Sequence, residues 1–289
     1  MSIDPLDLEY NPRIGVPDVA GIFARWQNDS RQARERLTCQ LDLRYGAAPA
    51  ETLDFFPAPG ANRPVLIFVH GGYWRALDKQ DFSSVAPAYV AAGFSVAVPN
   101  YGLAPGTPLT EIVAQIRRAC VWLYRNAGDL GVDPLHIVCS GHSAGGHLTA
   151  MMLATDWTRL ASDLPTRLLS GAVSVSGLFD LDPVARAPFL RDDLRLDASL
   201  VRQLSPALLP LHNDVPFLLA VGALETAEFH RQSQLIASHW PLACRAPLLG
   251  LPGCNHFGAC EALAAPDSAL FQSVCALLGK DIVADAPAP

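Results

Sequence analysis

The chain has 289 residues, of which 50% are hydrophobic and 17% are charged. This composition excludes a disordered, collagen-like or coiled-coil protein and fits one large globular domain. With 21 basic and 28 acidic residues, the formal net charge is -7, so we expect no broad surface for nucleic acid or for an anionic membrane. Lysine occurs only at Lys79 and Lys280, and without a Walker lysine phosphoryl transfer is not expected.

Targeting signals and cysteines point to an intracellular, reducing environment. The opening residues MSIDPLDLEY are acidic and have neither the basic nor the apolar region of a signal peptide. The longest apolar stretches are shorter than a membrane span. The seven cysteines are odd in number and form no C-x-x-C pair, so we expect reduced thiols in a cytoplasmic protein with no zinc ribbon.

Hydrophobic patterning predicts an N-terminal helical extension over residues 1–37, which contains Trp26, followed by alternating strands and helices. The predicted strands are 38–44, 52–56, 65–70, 94–99, 136–140, 171–175, 217–221 and 247–251. The predicted helices are 81–92, 109–126, 144–154, 228–239 and 267–278. The first two strands alternate polar and apolar residues, as an antiparallel edge does, and the later strands are continuous apolar runs. The sequence thus predicts an α/β fold with a mostly parallel eight-stranded sheet and helices on both faces.

Residues 38–280 are predicted to form this single α/β domain. Within it, residues 180–210 contain four prolines and a charged run that interrupts the alternation, so we interpret them as a small cap-like insertion over an active site. Residues 281–289 read as a flexible tail.

The strongest local motif is G-H-S-A-G at residues 141–145, placed between a predicted strand and a predicted helix. It fits a G-x-S-x-G nucleophile elbow, in which small neighbours let the chain turn sharply and expose Ser143. Glycine-rich strand-to-helix turns also bind dinucleotides. Here His147 stands where a further glycine would be needed, and no suitably spaced acidic residue follows.

A second motif, H-G-G-Y-W at residues 70–74, follows the third predicted strand. Glycine leaves main-chain N–H groups uncovered, so this turn can present them to an anion. Its position before the elbow is that of an oxyanion loop in an α/β-hydrolase. We interpret His70 as a structural residue, whereas Tyr73 and Trp74 fit either a pocket wall or the core.

An acid and a base are needed next, in loops after late strands. Glu225 follows the seventh predicted strand and His256 follows the eighth, so they fit the orienting acid and the general base. Glu228, one helical turn further on, and Asp214 are competing acids. A metal site is not expected at His142 and His147, because they are five residues apart and no carboxylate cluster accompanies them.

Together with E-F-H-R-Q-S at 228–233 and N-H-F at 255–257, these motifs resemble the kynurenine formamidase (arylformamidase) branch of the α/β-hydrolases over roughly residues 40–280. The resemblance implies a serine hydrolase without metal or cofactor. It implies a catalytic triad of Ser143, Glu225 and His256, with oxyanion donors at Gly71, Gly72, Tyr73 and Ala144. From their positions near the nucleophile in these motifs, we expect Tyr73, Trp74, His142 and Phe257 to contribute to the substrate pocket. The acid is often aspartate in this family, and glutamate stands here instead.

The expected reaction is hydrolysis of a small N-acyl arylamine, such as N-formylkynurenine, through an acyl-enzyme. Arg75 or an arginine from residues 186–202 is a candidate partner for a substrate carboxylate. A short-chain carboxylesterase using the same triad is the alternative, and a non-catalytic binding module is a remote one. The expected partner is a small-molecule substrate, and a homodimer is the expected assembly.

Overall fold

The computed structural model describes residues 3–279, which form one eight-stranded sheet with helices on both faces. The strands are β1 Gln40–Arg44, β2 Thr52–Phe56, β3 Arg63–Val69, β4 Ser95–Pro99, β5 Val132–His142, β6 Gly171–Val175, β7 Phe217–Gly222 and β8 Leu249–Leu251. The helices are α1 Pro5–Tyr10, α2 Val19–Arg36, α3 Ala86–Ala91, α4 Leu109–Arg125, α5 Ala144–Leu153, α6 Trp157–Leu160, α7 Asp182–Arg186, α8 Pro188–Leu194, α9 Ala198–Leu204, α10 Ala227–His239, α11 His256–Ala262 and α12 Ala269–Leu278. The tail predicted at 281–289 lies outside the described residues.

The strand order is β1-β2-β4-β3-β5-β6-β7-β8. β1 pairs antiparallel with β2, and β2 pairs antiparallel with β4. All the other pairings are parallel. The predicted mostly parallel sheet with an antiparallel edge is therefore confirmed. Because six neighbouring strands run the same way, their carboxyl ends and the loops that follow them gather along one edge.

The sheet is buried on both faces, as the central strand β3 shows. Val65, Ile67 and Val69 belong to one apolar core, which also takes in α4 and α5. Leu66 and Phe68 belong to a second core, with α3 and α12 on the opposite face. Side chains alternate between faces along a strand, so the continuous apolar run of β3 supplies both cores.

The helices differ from the prediction at residues 81–92 and in several short segments. The predicted helix at 81–92 is divided into two 3₁₀ turns, Lys79–Asp81 and Ser83–Val85, followed by α3. Pro87 lies in the first turn of α3, where its missing N–H does no harm, and a longer helix through it would lose a hydrogen bond. The short helices α6, α7, α8, α9 and α11 were not predicted, because four to seven residues are too few for a clear helical period.

The N-terminal segment is held against the domain at two points. The indole of Trp26 packs 5.4 Å from the Phe82 ring and donates to Glu261 Oε1 at 2.9 Å. Tyr10 is fully buried, and its hydroxyl accepts a hydrogen bond from Gln232 Nε2 at 3.0 Å. The chain between these anchors crosses the edge where the strands end.

Within residues 3–279, no helix is both long and apolar enough to span a lipid bilayer.

Candidate active site

Ser143 lies in a sharp turn between β5 and α5, at the carboxyl edge of the sheet. Its backbone has φ 57° and ψ -118°, a conformation that costs energy for a residue other than glycine. The neighbouring glycines make the turn possible. A Cβ at Gly141 would meet the Gly145 carbonyl oxygen at 2.2 Å, and one at Gly145 would meet the Val69 oxygen at 1.9 Å. The geometry is that of a nucleophile elbow.

Glu225 and His256 meet beside this turn. Glu225 follows β7, and its Oε2 lies 2.6 Å from His256 Nδ1. A carboxylate can only accept, so Nδ1 carries the proton and the unprotonated Nε2 is left to act as a base. The His256 ring packs against those of His142 and Phe229, each with a centroid distance of 4.5 Å. These contacts fix the ring orientation before substrate binds.

The carboxylate of Glu225 is almost fully buried, with 1% of its side chain exposed. Its second oxygen accepts hydrogen bonds from the main-chain N–H of Gly222 at 2.7 Å and from the Ser176 hydroxyl. Burial raises the pKa of Glu225, but the charge and hydrogen bond of His256, with those of Ser176 and Gly222, outweigh it and hold the pKa below its usual value. The acid therefore stays ionised at neutral pH.

The competing acid, Glu228, faces another group of side chains. It contacts Arg231 Nε at 2.9 Å and the Tyr10 hydroxyl, and these partners hold its pKa below the usual value despite burial. Of the two acids, the structure brings Glu225 to the histidine and Glu228 to the N-terminal segment.

The H-G-G-Y-W turn lies against the nucleophile. A Cβ at Gly71 would be only 3.2 Å from the Ser143 Cβ, so any side chain there would crowd the reacting atom. Gly72, Tyr73 and Trp74 then have positive φ angles of 100°, 52° and 56°, which turn the main chain tightly around this point. The Tyr73 hydroxyl donates to the main-chain oxygen of Tyr10, which ties the turn to the N-terminal segment.

His70 packs beneath the protein surface against the H-G-G-Y-W turn and supports it. It is fully buried and stacked against Tyr101, with ring centroids 4.2 Å apart. Its ring nitrogens lie 2.8 Å from the Gly71 oxygen and 3.2 Å from Asn100 Oδ1. Burial lowers its pKa, so the ring stays neutral, in keeping with the structural role predicted for it.

Ala144 is the first residue of α5. The first N–H groups of a helix have no intrahelical acceptor, and the helix dipole places partial positive charge there. Ala144 directly follows Ser143 in the chain, and Gly71 packs against the same serine, so both segments lie beside Ser143.

His142 contacts His256 but is not itself placed as the candidate base. Its Nε2 donates to the main-chain oxygen of His256 at 2.9 Å, because that oxygen can only accept. Burial, followed by the nearby His256 ring, holds the pKa of His142 well below its usual value. His142 is thus a neutral neighbour that anchors the backbone of His256.

Ser143 and His256 open into a cavity of about 110 Å³. Its lining, in chain order, consists of Asn11, Pro12, Arg13, Phe23, Trp26, Gly72, Tyr73, Arg75, Ala76, Leu77, His142, Ser143, Phe189, His256 and Phe257. Three pocket residues expected from the sequence, Tyr73, His142 and Phe257, are among them. The expectation for Trp74 needs correction. It is fully buried away from this lining, with its ring edge-on to His147 at 4.9 Å.

Sequence reasoning missed the contribution of the N-terminal segment to this cavity. Asn11, Pro12, Arg13, Phe23 and Trp26 together form one wall. From the region interpreted as a cap, which folds as α7, α8 and α9, only Phe189 reaches the lining among the described residues. The spacing of apolar residues in α2 indicated that one face of this helix packs against the domain. The spacing did not show which part of the domain that face contacts.

Within residues 3–279, no group of three or more His, Cys, Asp or Glu residues is arranged to hold a metal ion.

The fold and this arrangement define a hydrolase of the α/β-hydrolase class. The sequence model of the BD-FAE family matches residues 53–239, well over half of the chain. The chain belongs to the BD-FAE family of α/β-hydrolases.

Individual relatives extend the comparison. The chain is 30% identical to the kynurenine formamidase of Danio rerio over 81% of this chain and 82% of that protein. It is 32% identical to carboxylesterase NlhH of Mycobacterium tuberculosis over 68% of this chain and 64% of that protein. A solved structure from Silicibacter sp. TM1040, described provisionally as a thioesterase, superposes with a TM-score of 0.83 and 29% identity, over 96% of this chain and 99% of that one. The resemblance to kynurenine formamidases indicated by the motifs is confirmed.

Proposed function

We propose that the chain hydrolyses a small N-acyl arylamine, with N-formylkynurenine as the type substrate, through an acyl-enzyme on Ser143. The observation that carries this proposal is the convergence of three elements on one cavity. The strained serine, the histidine oriented by Glu225, and the Gly71 turn pressed against the serine Cβ all meet there. The kynurenine formamidase relative supports the choice of substrate class.

In the proposed mechanism, His256 Nε2 takes the proton of the Ser143 hydroxyl as its oxygen attacks the acyl carbonyl carbon. Glu225 holds the imidazole in the required tautomer and stabilises its cation. Main-chain N–H groups of the 71–73 turn and of Ala144 receive the developing negative charge. His256 then donates its proton to the leaving arylamine nitrogen, and water, deprotonated by the same ring, releases the acid and restores the serine.

The cavity suits a small acyl group beside an aromatic ring. A formyl group has only one carbon and therefore needs little space beside Ser143, whose cavity is lined by bulky side chains. Tyr73, Phe23 and Phe257 line it, and their rings can pack against an aryl leaving group.

The deciding experiment compares kcat/KM of the purified protein for N-formyl-L-kynurenine and for p-nitrophenyl acetate, with Ser143→Ala as the control. We expect about 10⁴ M⁻¹s⁻¹ or more on the formamide, and a loss of several orders of magnitude in the variant because the triad acts as a unit. Ester turnover with negligible formamide turnover would refute the formamidase proposal while leaving the nucleophile in place.

That second outcome corresponds to the other candidate function, a short-chain carboxylesterase, which the carboxylesterase relative favours. The remote alternative of a non-catalytic binding module predicts no covalent labelling of Ser143 by a fluorophosphonate probe. The retained serine, acid and histidine argue against it.

The proposal extends to the context of the enzyme. We propose that it is a cytoplasmic enzyme that acts on a small molecule. We also propose that it does not bind nucleic acid, which its net charge of -7 supports. We also propose the division into a 1–37 extension and a 38–280 domain. A homodimer is the proposed assembly, for which the edge strand β1 offers a surface. Sedimentation velocity would distinguish a dimer from a monomer.

A further inference from the structure

The charge of the pocket lining differs from that of the whole protein. The protein has a net charge of -7, yet the residues that line the cavity include two arginines, Arg13 and Arg75, and no aspartate or glutamate. A pocket that holds a nucleophile and a positive wall is suited to an anionic substrate.

Arg75 is already neutralised. Its guanidinium forms an ion pair with Asp193 and donates to the main-chain oxygen of Phe189 at 2.7 Å. It also lies over the Phe189 ring, 5.5 Å from the centroid. These contacts attach Arg75 to α8, so the sequence-based suggestion that it receives a substrate carboxylate does not suit its geometry.

Arg13 has no such partner. Among residues 3–279, no carboxylate lies within ion-pair distance of its guanidinium. That group lies 5.4 Å from the centroid of the Phe23 ring, and Phe23 is itself part of the cavity wall. The cation–π contact positions the charge at the pocket while leaving its N–H groups free for an anion.

The main chain around Arg13 is also held in place. Ile14 N donates to the Asn11 oxygen at 3.0 Å, and Arg13 N donates to the Asn11 side chain at 3.2 Å. Tyr10, three residues before Arg13, is the fully buried anchor of the segment. A fixed backbone lowers the entropy lost when the guanidinium binds a ligand.

We propose that Arg13 binds the carboxylate of the substrate and thereby selects carboxylate-bearing aryl formamides over neutral esters and amides. This inference rests on the proposed function and adds the charge of its substrate. The guanidinium offers two parallel N–H groups that match a carboxylate, and it takes no part in bond making in the proposed mechanism. Its contribution is therefore to binding, which is expressed in KM.

The first test uses two formamides that differ only by the carboxylate, N-formyl-L-kynurenine and N-formylkynuramine. Arg13→Met should lower kcat/KM for the carboxylate substrate on the order of tenfold, mainly through KM, and leave that for N-formylkynuramine within about twofold. The matched control is Arg31→Met, which removes the same charge from α2 at an exposed ion pair with Glu35 and should change neither. Equal losses on both substrates, or none on either, would overturn the proposal.

A second measurement separates this inference from the formamidase proposal. If the wild type hydrolyses p-nitrophenyl acetate but neither formamide, the proposed function fails. Inhibition of ester hydrolysis by L-kynurenine and by kynuramine then tests the anion site alone. Stronger inhibition by kynurenine in the wild type, lost in Arg13→Met and kept in Arg31→Met, supports it. Equal inhibition by the two compounds in the wild type refutes it.

Discussion

Titration of His147 should make the stability of the fold depend on pH. The ring is fully buried in α5, with Nε2 donating to the Leu204 oxygen at 2.8 Å and Nδ1 without a hydrogen-bond partner among the described residues. Burial lowers its pKa from 6.5 to about 4, against the opposing effect of the Leu204 bond. The folded protein therefore holds this histidine neutral, and protonation favours the unfolded chain.

The sign and size follow from linkage. Above pH 6.5 the ring is neutral in both states, so its full contribution to stability is present. As the pH falls from 6.5 toward 4, His147 becomes protonated in the unfolded chain but stays neutral in the folded protein, so the free energy of unfolding decreases. The difference between the two pKa values corresponds to about 3 kcal/mol, of which about 2 kcal/mol is lost between pH 7 and pH 5.

Urea denaturation of the wild type and of His147→Gln at several pH values would measure this. The variant is expected to be less stable at pH 7, and its disadvantage should shrink by about 2 kcal/mol at pH 5. His239→Gln is the matched control, because His239 is exposed and its Nε2 also faces a main-chain oxygen, that of Leu209, at 3.1 Å. A wild-type advantage over His147→Gln that stays constant from pH 7 to pH 5 would refute the reasoning.

Three further predictions concern the site and its support. Glu225→Gln should lower kcat/KM by about 10³-fold or more, since the amide cannot stabilise the histidine cation, whereas Glu228→Gln should lose less than tenfold. Gly145→Ala should cost about 3 kcal/mol or more by urea denaturation, because the new Cβ would meet a main-chain oxygen at 1.9 Å. Tyr73→Phe should cost about 1 kcal/mol and lower kcat/KM several-fold, because a buried carbonyl loses its donor.

Each of these has an outcome that would contradict it. A larger loss of kcat/KM from Glu228→Gln than from Glu225→Gln would identify Glu228 as the acid that supports the histidine and refute the assignment of Glu225. The control for Gly145→Ala is Gly250→Ala, at a glycine with open space around it. Its free energy of unfolding should stay within about 0.5 kcal/mol of the wild type. An equal loss of stability in both variants would show that the fold tolerates alanine poorly at glycine positions in general, and would contradict the clash at Gly145. An unchanged kcat/KM in Tyr73→Phe would show that the 71–73 turn keeps its catalytic geometry without the hydrogen bond to Tyr10.

The parts of the fold that sequence predicted well are those fixed by local chemistry. All eight strands lie close to their predicted positions, and the six parallel ones were recognisable because parallel strands buried on both faces need continuous apolar residues. The elbow around Ser143 was equally legible, since only small residues allow the turn. The acid was harder, because Glu225 and Glu228 are one helical turn apart and the choice depends on which of them faces His256 in three dimensions.

The pocket wall could not be predicted for the same reason. Arg13 and Phe23 lie far from every motif in sequence, and their position depends on where Tyr10 docks. That docking involves Gln232 and other side chains more than two hundred residues away. Hydrophobic periodicity reports which face of a helix is buried, and it carries no information about the partner. The pairing of Arg75 with Asp193 is a long-range contact of the same kind.

The wall built from residues 11–26 has a consequence for how such an enzyme changes over time. The family match covers residues 53–239, so the part of the pocket wall formed by residues 11–26 lies outside it, as His256 does, while Ser143 and Glu225 lie inside. Substitutions in the first few turns of the chain can alter which molecules enter without disturbing the reacting groups. One wall of the pocket is thereby encoded apart from Ser143 and Glu225 in the gene, and exchanging residues 11–26 between relatives should change substrate preference while leaving those two residues in place.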